Sequence, residues 1–509
     1  LWVDPGAAGT VWADGILLYK TTNGGASFTD VSSGMHVDHH AQWINPNDTQ
    51  IMLKGNDGGL YRTTNGGSSW SFVSNLPITQ LYTIEVPLAS TSTVYAGLQD
   101  NGTVRTTGGA GSYSALFGGD GHYVIQDPND ANTIYLEFQY GNFYRSTNDG
   151  GSFSSAVSGI SGSDRKNWST PVVVDPASVG NAGTRLYFGA NRLYRSNNSA
   201  SSWTVVGGGI DFSDGFGGSG GVTFGTITTI AVAQSDSGTI YVGTDDANVW
   251  VSTDYAATFT KIDAGLPNRW VSRVAVDPDN DAIAYVTFSG LRDDDPLPHV
   301  FRTTNHGASW TDISSNLPDA PVNDIIVDED DGSILYVATD VGVFVTGDLG
   351  ATWSPLGNAM PEGAIVTDLE YVPGALGTPN LTPLLFAATY GRSAYRLDLA
   401  IATGVDAAEE ESASRPAALA TIDAVTPNPF RSQTEVAFTI PAAGHVRVAF
   451  YDLSGREVRV ITNEARSAGA HRVTWDGRDE GGRPVANGVY FARVETGGRS
   501  ESKKVTLVR

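Results

Sequence analysis

The chain has 509 residues, including 60 glycines and no cysteine, and its formal net charge at pH 7 is −24. This length allows two or more domains with sizeable cores, and the lack of cysteine excludes disulfides and thiolate zinc sites. The negative charge argues against binding of nucleic acid or anionic membrane, and there is no run of about 18 apolar residues that would predict a membrane-spanning helix.

A repeated stretch of eight residues divides the first 400 residues. In each copy, Asn or Asp follows a Ser or Thr by two positions, and Trp or Phe follows it by seven. The Asn or Asp side chain can cap its own turn, a glycine permits a positive φ, and the aromatic ring fills the space beneath. The seven copies begin at Thr21, Thr63, Ser146, Ser196, Ser252, Thr303 and Thr346.

Most copies start 42 to 56 residues apart, and a degenerate copy, Thr106–Tyr113, lies inside the one gap of 83 residues. Each period also contains three other strand-like segments, so it has four strands, as a β-propeller blade does. We therefore predict an all-β propeller in residues 1–400, with about eight four-stranded blades and with seven as the alternative. Full blades are expected to begin near Asp38, Leu81, His122, Ser169, Ile227, Val271, Val322 and Val366.

The last predicted blade, Asp368–Leu399, lacks the repeated turn and a fourth strand. Propellers often close when one terminus completes a blade formed by the other, and Gly15–Ser32 offers such a strand. Leu17–Tyr19 and Ala394–Leu397 would, however, compete for the same third-strand position. Residues 1–20 are alternatively the remnant of a preceding blade, and we interpret the N-terminus as truncated because the chain opens partway through a repeat.

The composition changes after residue 400. Residues 401–420 are rich in Ala, Glu and Ser, which predicts a flexible linker. Residues 421–509 carry 13 Lys and Arg against 10 Asp and Glu, whereas the rest of the chain carries 18 against 45. Alternating strands between Gly-rich turns in 421–509 predict a separate small β-sandwich of about seven strands.

The repeats TTNGGSSW, TTNHGASW and their copies resemble the Asp-box (BNR) hairpin of β-propellers such as sialidases, sortilin-type proteins and xyloglucanase-type glycoside hydrolases. In those families the Asp box is a structural turn remote from the active face. The stretch GMHVDHHAQWINPND, with LQDNG, GGDG and ATYGR, resembles large exported bacterial propeller proteins described as sortilin-like or glycosyl-hydrolase-like. His39 stands where that group has Gln, and the resemblance carries over no established activity.

The segments PNPF, YDLSGREV, WDGRDEGGRPVANGVYFARV and KKVTLVR resemble the Ig-like C-terminal domains that address proteins to the type IX secretion system. A similar module occurs in flagellar hook-cap proteins. The resemblance spans 421–509 and implies an exported protein, located in the extracellular space or on the outer surface of a bacterium with an outer membrane. It also implies the type IX secretion machinery as a partner.

One face of the predicted propeller carries the turns between second and third strands and the links between blades. A His-Val-Asp-His-His segment on this face begins at His36, and alternate residues of an extended chain point the same way. Paired carboxylates can perform acid–base catalysis, and His with Asp is a ligand set for a divalent ion. The catalytic candidates are Asp38, Asp57, Asp100 and Asp120, and the metal candidates are His36, Asp38, His40 and Asp57.

The ligand-binding candidates on this face are polar or aromatic, and the aromatic rings could stack on sugars. They are His36, His40, Asn56, Gln99, Asn101, His122, Tyr140, Trp168, Trp270, Tyr390 and Arg392. An acidic loop at Arg292 is a candidate Ca²⁺ loop. A structural role is the competing interpretation, because Asp-Gly pairs are ordinary turn chemistry and a Trp near a blade junction can pack between blades.

We therefore predict that the acidic loop face binds a polysaccharide or a protein partner. No cofactor is required by this interpretation, and a divalent cation such as Ca²⁺ is the one candidate. A glycoside hydrolase with paired carboxylates is the first alternative, so whether the chain is an enzyme is left open. A structural subunit of an extracellular filament or surface assembly is the second, and the oligomeric state is not predicted.

Overall fold

A computed structural model of the chain describes residues 1–87, 90–107, 113–181, 183–215, 224–290, 299–357, 360–361, 363–374, 383–399, 421–428, 430–440, 443–452, 457–485, 488–496 and 499–507. The chain divides into two compact units, Leu1–Asp406 and Ala407–Arg509. The predicted linker 401–420 lies outside the described residues. No helix in the described part of the chain has the length and apolar character needed to cross a bilayer.

The first unit is a series of antiparallel sheets that follow one another along the chain. Sheet A comes first and contains β1 (Trp2–Asp4), β2 (Ala7–Ala13), β3 (Tyr19–Thr21) and β4 (Thr29–Asp30). Sheet B follows with β5 (His39–Ile44), β6 (Met52–Asn56), β7 (Gly59–Thr63) and β8 (Ser71–Phe72). Each sheet is one period of the sequence repeat.

Seven further sheets, which we number blades 1 to 7, follow sheet B. Blade 1 contains β9 (Leu81–Glu85), β10 (Thr93–Leu98), β11 (Gly102–Thr107) and β12 (Ser114–Phe117). Blade 2 contains β13 (Gly121–Gln126), β14 (Ile134–Phe138), β15 (Asn142–Ser146) and β16 (Ser154–Ser155). Blade 3 contains β17 (Val172–Val174), β18 (Leu186–Gly189), β19 (Leu193–Ser196) and β20 (Thr204–Val205). Short 3-10 turns occur at Pro176–Ser178 and Gly207–Gly209.

The second half of the series repeats this arrangement until its last sheet. Blade 4 contains β21 (Ile227–Val232), β22 (Ile240–Thr244), β23 (Val249–Ser252) and β24 (Thr260–Lys261). Blade 5 contains β25 (Val271–Val276), β26 (Ala284–Phe288), β27 (Val300–Thr303) and β28 (Thr311–Asp312). Blade 6 contains β29 (Val322–Val327), β30 (Leu335–Thr339), β31 (Gly342–Thr346) and β32 (Ser354–Pro355). Blade 7 has three described strands, β33 (Val366–Val372), β34 (Leu384–Thr389) and β35 (Ala394–Asp398).

Seven hydrophobic clusters join these blades into a closed ring. Each cluster contains buried residues from two consecutive blades, as Tyr285 of blade 5 and Val322 of blade 6 illustrate. The seventh cluster joins Phe386 of blade 7 to Leu81 of blade 1. The all-β propeller is therefore confirmed, and its ring contains seven blades, the smaller of the two predicted counts.

Sheet B, predicted to be the first full blade, lies outside the ring. A separate core that includes Trp12, Leu18 and Met52 packs it against sheet A. Because β3 and β4 pair within sheet A, the expectation that Gly15–Ser32 completes the last blade is wrong. The physical reason is burial, since Trp12 and Leu18 are fully buried against sheet B and would become exposed if this segment moved to blade 7.

The seven repeated turns share one hydrogen-bond pattern. The Thr303 hydroxyl donates to Asn305 Oδ1 (2.9 Å) and accepts from the Gly307 amide (2.9 Å), and the Ser309 amide donates to Asn305 Oδ1 at 3.0 Å. The other six copies have the equivalent bonds. These turns lie between third and fourth strands, so the turns between second and third strands lie on the opposite face.

The first strands line the centre of the ring, where Arg273 of blade 5 lies between two carboxylates. Its Nε donates to Asp324 Oδ1 at 2.6 Å, and its Nη2 donates to Asp368 Oδ1. Glu85 and Glu370 lie in the same interior, where burial raises the pKa of Glu85 to about 8. Burial, followed by the neighbouring charge of Glu85, raises the pKa of Glu370.

The second unit is a β-sandwich, as predicted. Its strands are β36 (Thr421–Thr426), β37 (Thr434–Ile440), β38 (Gly444–Asp452), β39 (Glu457–Arg466), β40 (Gly469–Trp475), β41 (Gly488–Thr496) and β42 (Arg499–Leu507). One sheet contains β36, β37 and β40, and the other contains the remaining four. In the core between them Trp475 is stacked on Phe450, with ring centroids 4.2 Å apart.

Candidate functional site

Sheet B and blades 7, 1 and 2 bring their loops together on the face opposite the repeated turns. Asn101 of blade 1 joins the turn of sheet B, because its Nδ2 donates to the Asp57 carbonyl at 2.9 Å. Gln80, just before blade 1, forms a β-bridge with Tyr390 of blade 7. Residues that are far apart in the chain therefore meet here because the ring closes between blades 7 and 1.

Three carboxylates, Asp57, Asp100 and Asp120, lie in this cluster. The Asp100 amide donates to Asp120 Oδ1 at 2.9 Å, and Gln139 Nε2 donates to Asp120 Oδ2. Burial raises the pKa of Asp100, and the charges of Asp120 and Asp57 raise it further. Among the ion pairs of the described residues, none joins a Lys or Arg to these three carboxylates. Three predicted catalytic candidates are thus neighbours, and none of them is paired with a Lys or Arg of the described residues.

The segment before β5 is turned, so the expectation that His36, Asp38 and His40 point the same way is wrong. Asp38 has a φ of +59°, in the left-handed region, and the strand begins only at His39. His36 Nε2 lies 3.1 Å from the Asp100 carbonyl, and His40 Nε2 lies 2.6 Å from Asp57 Oδ1. His39 is the buried member of the segment.

The metal candidates do not converge in the part of the chain that the structure describes. No group of three or more His, Asp or Glu side chains there is arranged to hold a metal ion. Of the four candidates, His40 and Asp57 form the one side-chain contact. The candidate Ca²⁺ loop at Arg292 lies outside the described residues.

A line of rings, which we call the aromatic run, crosses this face from blade 7 past blade 2. Tyr82 lies between Tyr390, 6.0 Å away by ring centroids, and the stacked ring of His122, 4.7 Å away. Trp168 presents its edge to His122 at 5.8 Å and stands perpendicular to Tyr140 at 5.0 Å. The run brings four predicted ligand-binding residues into contact with one another: Tyr390, His122, Trp168 and Tyr140.

The side chains of the aromatic run differ in depth. Tyr140 is 48% exposed, whereas His122 is fully buried and neither of its ring nitrogens is hydrogen-bonded. Burial lowers the pKa of His122 to about 4, so its ring is neutral at pH 7. The hydroxyls of Tyr82 and Tyr390 both donate to Gln99 Oε1, which fixes the two rings at the junction of blades 7 and 1.

Three residues of the site are not among the sequence-based candidates. Tyr82 stands in the link Pro77–Tyr82, which the strand order places on this face. Its position in that link could therefore have identified it as a residue of the site. Gln139 stands in the turn 139–142, which the strand order also places on this face, and its bond to Asp120 shows its role. Phe224 is identified only by its ring, 6.2 Å from Tyr140. Nothing in the sequence around Phe224 distinguishes it from a core residue.

Other candidates lie at the margin of the cluster. Trp270 lies in the link between blades 4 and 5, and no ring contact among the described residues joins it to the aromatic run. Arg392 shares the turn of Tyr390; its amide donates to Thr389 Oγ1 at 3.1 Å, and the residue is exposed. Asn56 has a structural role, because its Nδ2 donates to the His36 carbonyl at 2.7 Å.

Comparison with known proteins identifies the second unit. Residues 424–500 match the FlgD Ig-like domain family. A comparison with curated protein sequences finds no match for the chain.

Solved structures similar to this chain include propeller-containing proteins. The GH74 enzyme of Niastella koreensis is 17% identical, with 78% of this chain and 74% of that chain covered and a TM-score of 0.25. YCF48 from Cyanidioschyzon merolae is 14% identical, with coverages of 63% and 96% and a TM-score of 0.45. The extracellular domain of the BT3049 two-component system from B. thetaiotaomicron is 11% identical, with coverages of 98% and 66% and a TM-score of 0.47.

Seven cores between neighbouring blades define the closed ring. The chain therefore consists of two blade-like sheets, a closed seven-bladed β-propeller and a C-terminal Ig-like domain that matches the FlgD family.

Proposed function

We propose that the face carrying the aromatic run binds a polysaccharide. The observation that carries this proposal is the aromatic run beside three carboxylates that form no ion pair with a described Lys or Arg. Sugar rings present C–H faces that stack on aromatic side chains, and their hydroxyls donate to carboxylate and amide oxygens. Asp57 and Asp100 supply such acceptors next to the rings.

Replacing Tyr140 with alanine should weaken glycan binding at least about tenfold, because exposed rings of this kind dominate binding energy. The measurement is a glycan array on the full chain, followed by calorimetric titration of the best glycan. Tyr255→Ala is the matched control, since Tyr255 has the same left-handed backbone (φ +59°), is 56% exposed and lies in a repeated turn on the opposite face. Equal loss in both variants, or no glycan bound by the wild type, would contradict the proposal.

Hydrolysis of the bound glycan is a second candidate function, and the environment of Asp100 favours it. Burial and the charges of Asp120 and Asp57 raise the pKa of Asp100, and glycoside hydrolases use a carboxyl group with a raised pKa beside a second carboxyl group. The same array glycans are therefore incubated with wild type and with Asp100→Asn. Release of reducing ends by the wild type and not by the variant supports this function, and intact glycan after both incubations rules it out.

We further propose that residues 421–509 direct export through the type IX secretion system to the outer cell surface. The FlgD-family match and the terminal KKVTLVR segment support this proposal. Deleting 421–509 should leave the propeller folded, because the sandwich core includes no propeller residue, and should retain it in the periplasm. Cell fractionation with surface proteolysis measures the distribution, and normal display of the shortened protein would overturn the proposal.

A further inference from the structure

The interface that joins sheets A and B contains a buried cation. Lys54 in β6 is fully buried, and it is the one buried lysine among the described residues. Removing an ammonium group from water is costly, so burial lowers the pKa of Lys54, although the contact with Asp14 acts in the opposite direction. A lowered pKa favours the neutral amine, which is the nucleophilic form of a lysine side chain.

Asp14 reaches Lys54 from sheet A. It follows β2, its side chain is 11% exposed, and its Oδ1 accepts from Lys54 Nζ. Lys54 Nζ also donates to Gln42 Oε1 at 3.4 Å, which gives the amine a second anchor within sheet B. Trp2 Nε1 donates to the other carboxylate oxygen, Asp14 Oδ2, at 2.8 Å. The amine is thus held against a carboxyl group, and an indole N–H is placed to stabilise negative charge that develops on Oδ2.

His39 lies beside this pair. It is 4% exposed, and neither of its ring nitrogens is hydrogen-bonded to a described residue, which is unusual for a buried polar group. Its amide donates to the Gly15 carbonyl at 2.8 Å, next to Asp14. Burial lowers the pKa of His39, the charge of Lys54 lowers it further, and the charge of Asp14 raises it. The ring is therefore close to both groups, and a neutral imidazole can take up and return a proton.

We propose that Lys54 and Asp14 condense into an isopeptide bond that joins sheets A and B covalently. Lys54 Nζ attacks Asp14 Cγ, the Nζ–Cγ bond forms and the Cγ–Oδ1 bond breaks. Of the three protons on the ammonium group, one stays on the amide nitrogen and two move to Oδ1, one of them through His39. Oδ1 leaves as water, so the step needs no oxidant, reductant or further reactant.

Two physical effects favour this bond. Condensation replaces two buried ions by a neutral amide, and the desolvation penalty of the ion pair disappears with the charges. The bond also closes the loop between Asp14 and Lys54, which restricts the unfolded chain as a disulfide does. The chain has no cysteine, so no disulfide supplies this constraint.

The mass of the intact, denatured full chain tests the proposal. We expect the wild type to be lighter than its sequence mass by one water molecule. Lys54→Arg keeps a cation beside Asp14, but a guanidinium group stays protonated and forms no amide, so this variant should have its full mass. Lys20→Met is the matched control and should still lose one water, because Lys20 lies at the same interface and its Nζ donates to the Gly66 carbonyl at 3.0 Å.

A tryptic digest of the wild type locates the bond without any variant, so it decides the question even where a variant misfolds. The peptide that ends at Lys20 should be joined to residues 21–62, uncleaved after Lys54. A wild type at full mass, or separate peptides ending at Lys20 and Lys54, overturns the proposal. A water loss that Lys54→Arg retains also overturns it, because a succinimide at Asp14–Gly15 would release the same water.

His39→Gln tests the proton carrier, since it leaves both reacting groups in place. Condensation should be at least about tenfold slower in this variant, as intact mass measured against time after cell-free synthesis of the full chain would show. Bond formation at the wild-type rate would contradict the role of His39 in the step.

Discussion

Replacing Arg273 with methionine is expected to lower the free energy of unfolding of the propeller by about 3–5 kcal/mol. Arg273 is the cation between Asp324 and Asp368 at the centre of the ring, and both carboxylates are buried. Without it, two carboxylates from blades 6 and 7 face each other with no counter-charge. The cost is large because a buried ion that loses its partner keeps its desolvation penalty.

Differential scanning calorimetry of the full chain measures this effect on the propeller transition. Arg302→Met is the control, since Arg302 donates its Nε–H to the Tyr285 hydroxyl and has no ion pair among the described residues. Adding Asp324→Asn and Asp368→Asn to Arg273→Met should restore most of the lost free energy of unfolding, because no buried carboxylate is then left without a counter-charge. If Arg273→Met costs no more than Arg302→Met, the central ion pairs do not hold the ring together.

Raising the pH should destabilise the propeller, and the effect should come from Glu85 and Glu370. Glu85 has a pKa of about 8 in the folded ring against an ordinary value of 4.5, so the folded state binds its proton more tightly. The stabilisation that protonated Glu85 contributes is therefore fully present below pH 4.5 and is lost as the pH rises through about 8. The slope is about 1.4 kcal/mol per pH unit for each such carboxyl.

The two glutamates act together because both lie in the interior that Asp324, Asp368 and Arg273 share. Urea unfolding of the full chain across this pH range is the measurement. The variant with Glu85→Gln and Glu370→Gln should lose much of the pH dependence, since neither amide titrates. A slope equal to that of the wild type would show that these carboxyls are ionised in the folded ring.

Local structure could be predicted from the sequence wherever a particular residue type is required by the geometry of a turn. The repeated turns are an example, because the Thr303 hydroxyl and the Asn305 side chain cap the turn through bonds to residues at most four positions away. Ring closure was not predictable in this way. Sheet B has the same four-strand pattern as a ring blade, and only the packing of Phe386 against blade 1 decides which sheets close the ring.

The candidate site shows the same division. The positions of Asp57, Asp100 and Asp120 could be predicted from the strand order, because it places the turns or links that carry them on one face. Their surroundings could not, because the φ of Asp38 breaks the alternation that would have grouped it with His36 and His40.

Hydrogen–deuterium exchange of the full chain, with and without its best-binding glycan, tests most directly whether the acidic aromatic face binds the polymer. Binding there should slow amide exchange in the turns at 98–102, 139–142 and 389–392, which carry Gln99, Tyr140 and Tyr390. Exchange in the repeated turns on the opposite face should not change. Protection confined to those repeated turns, or no protection at saturating glycan, would contradict the account.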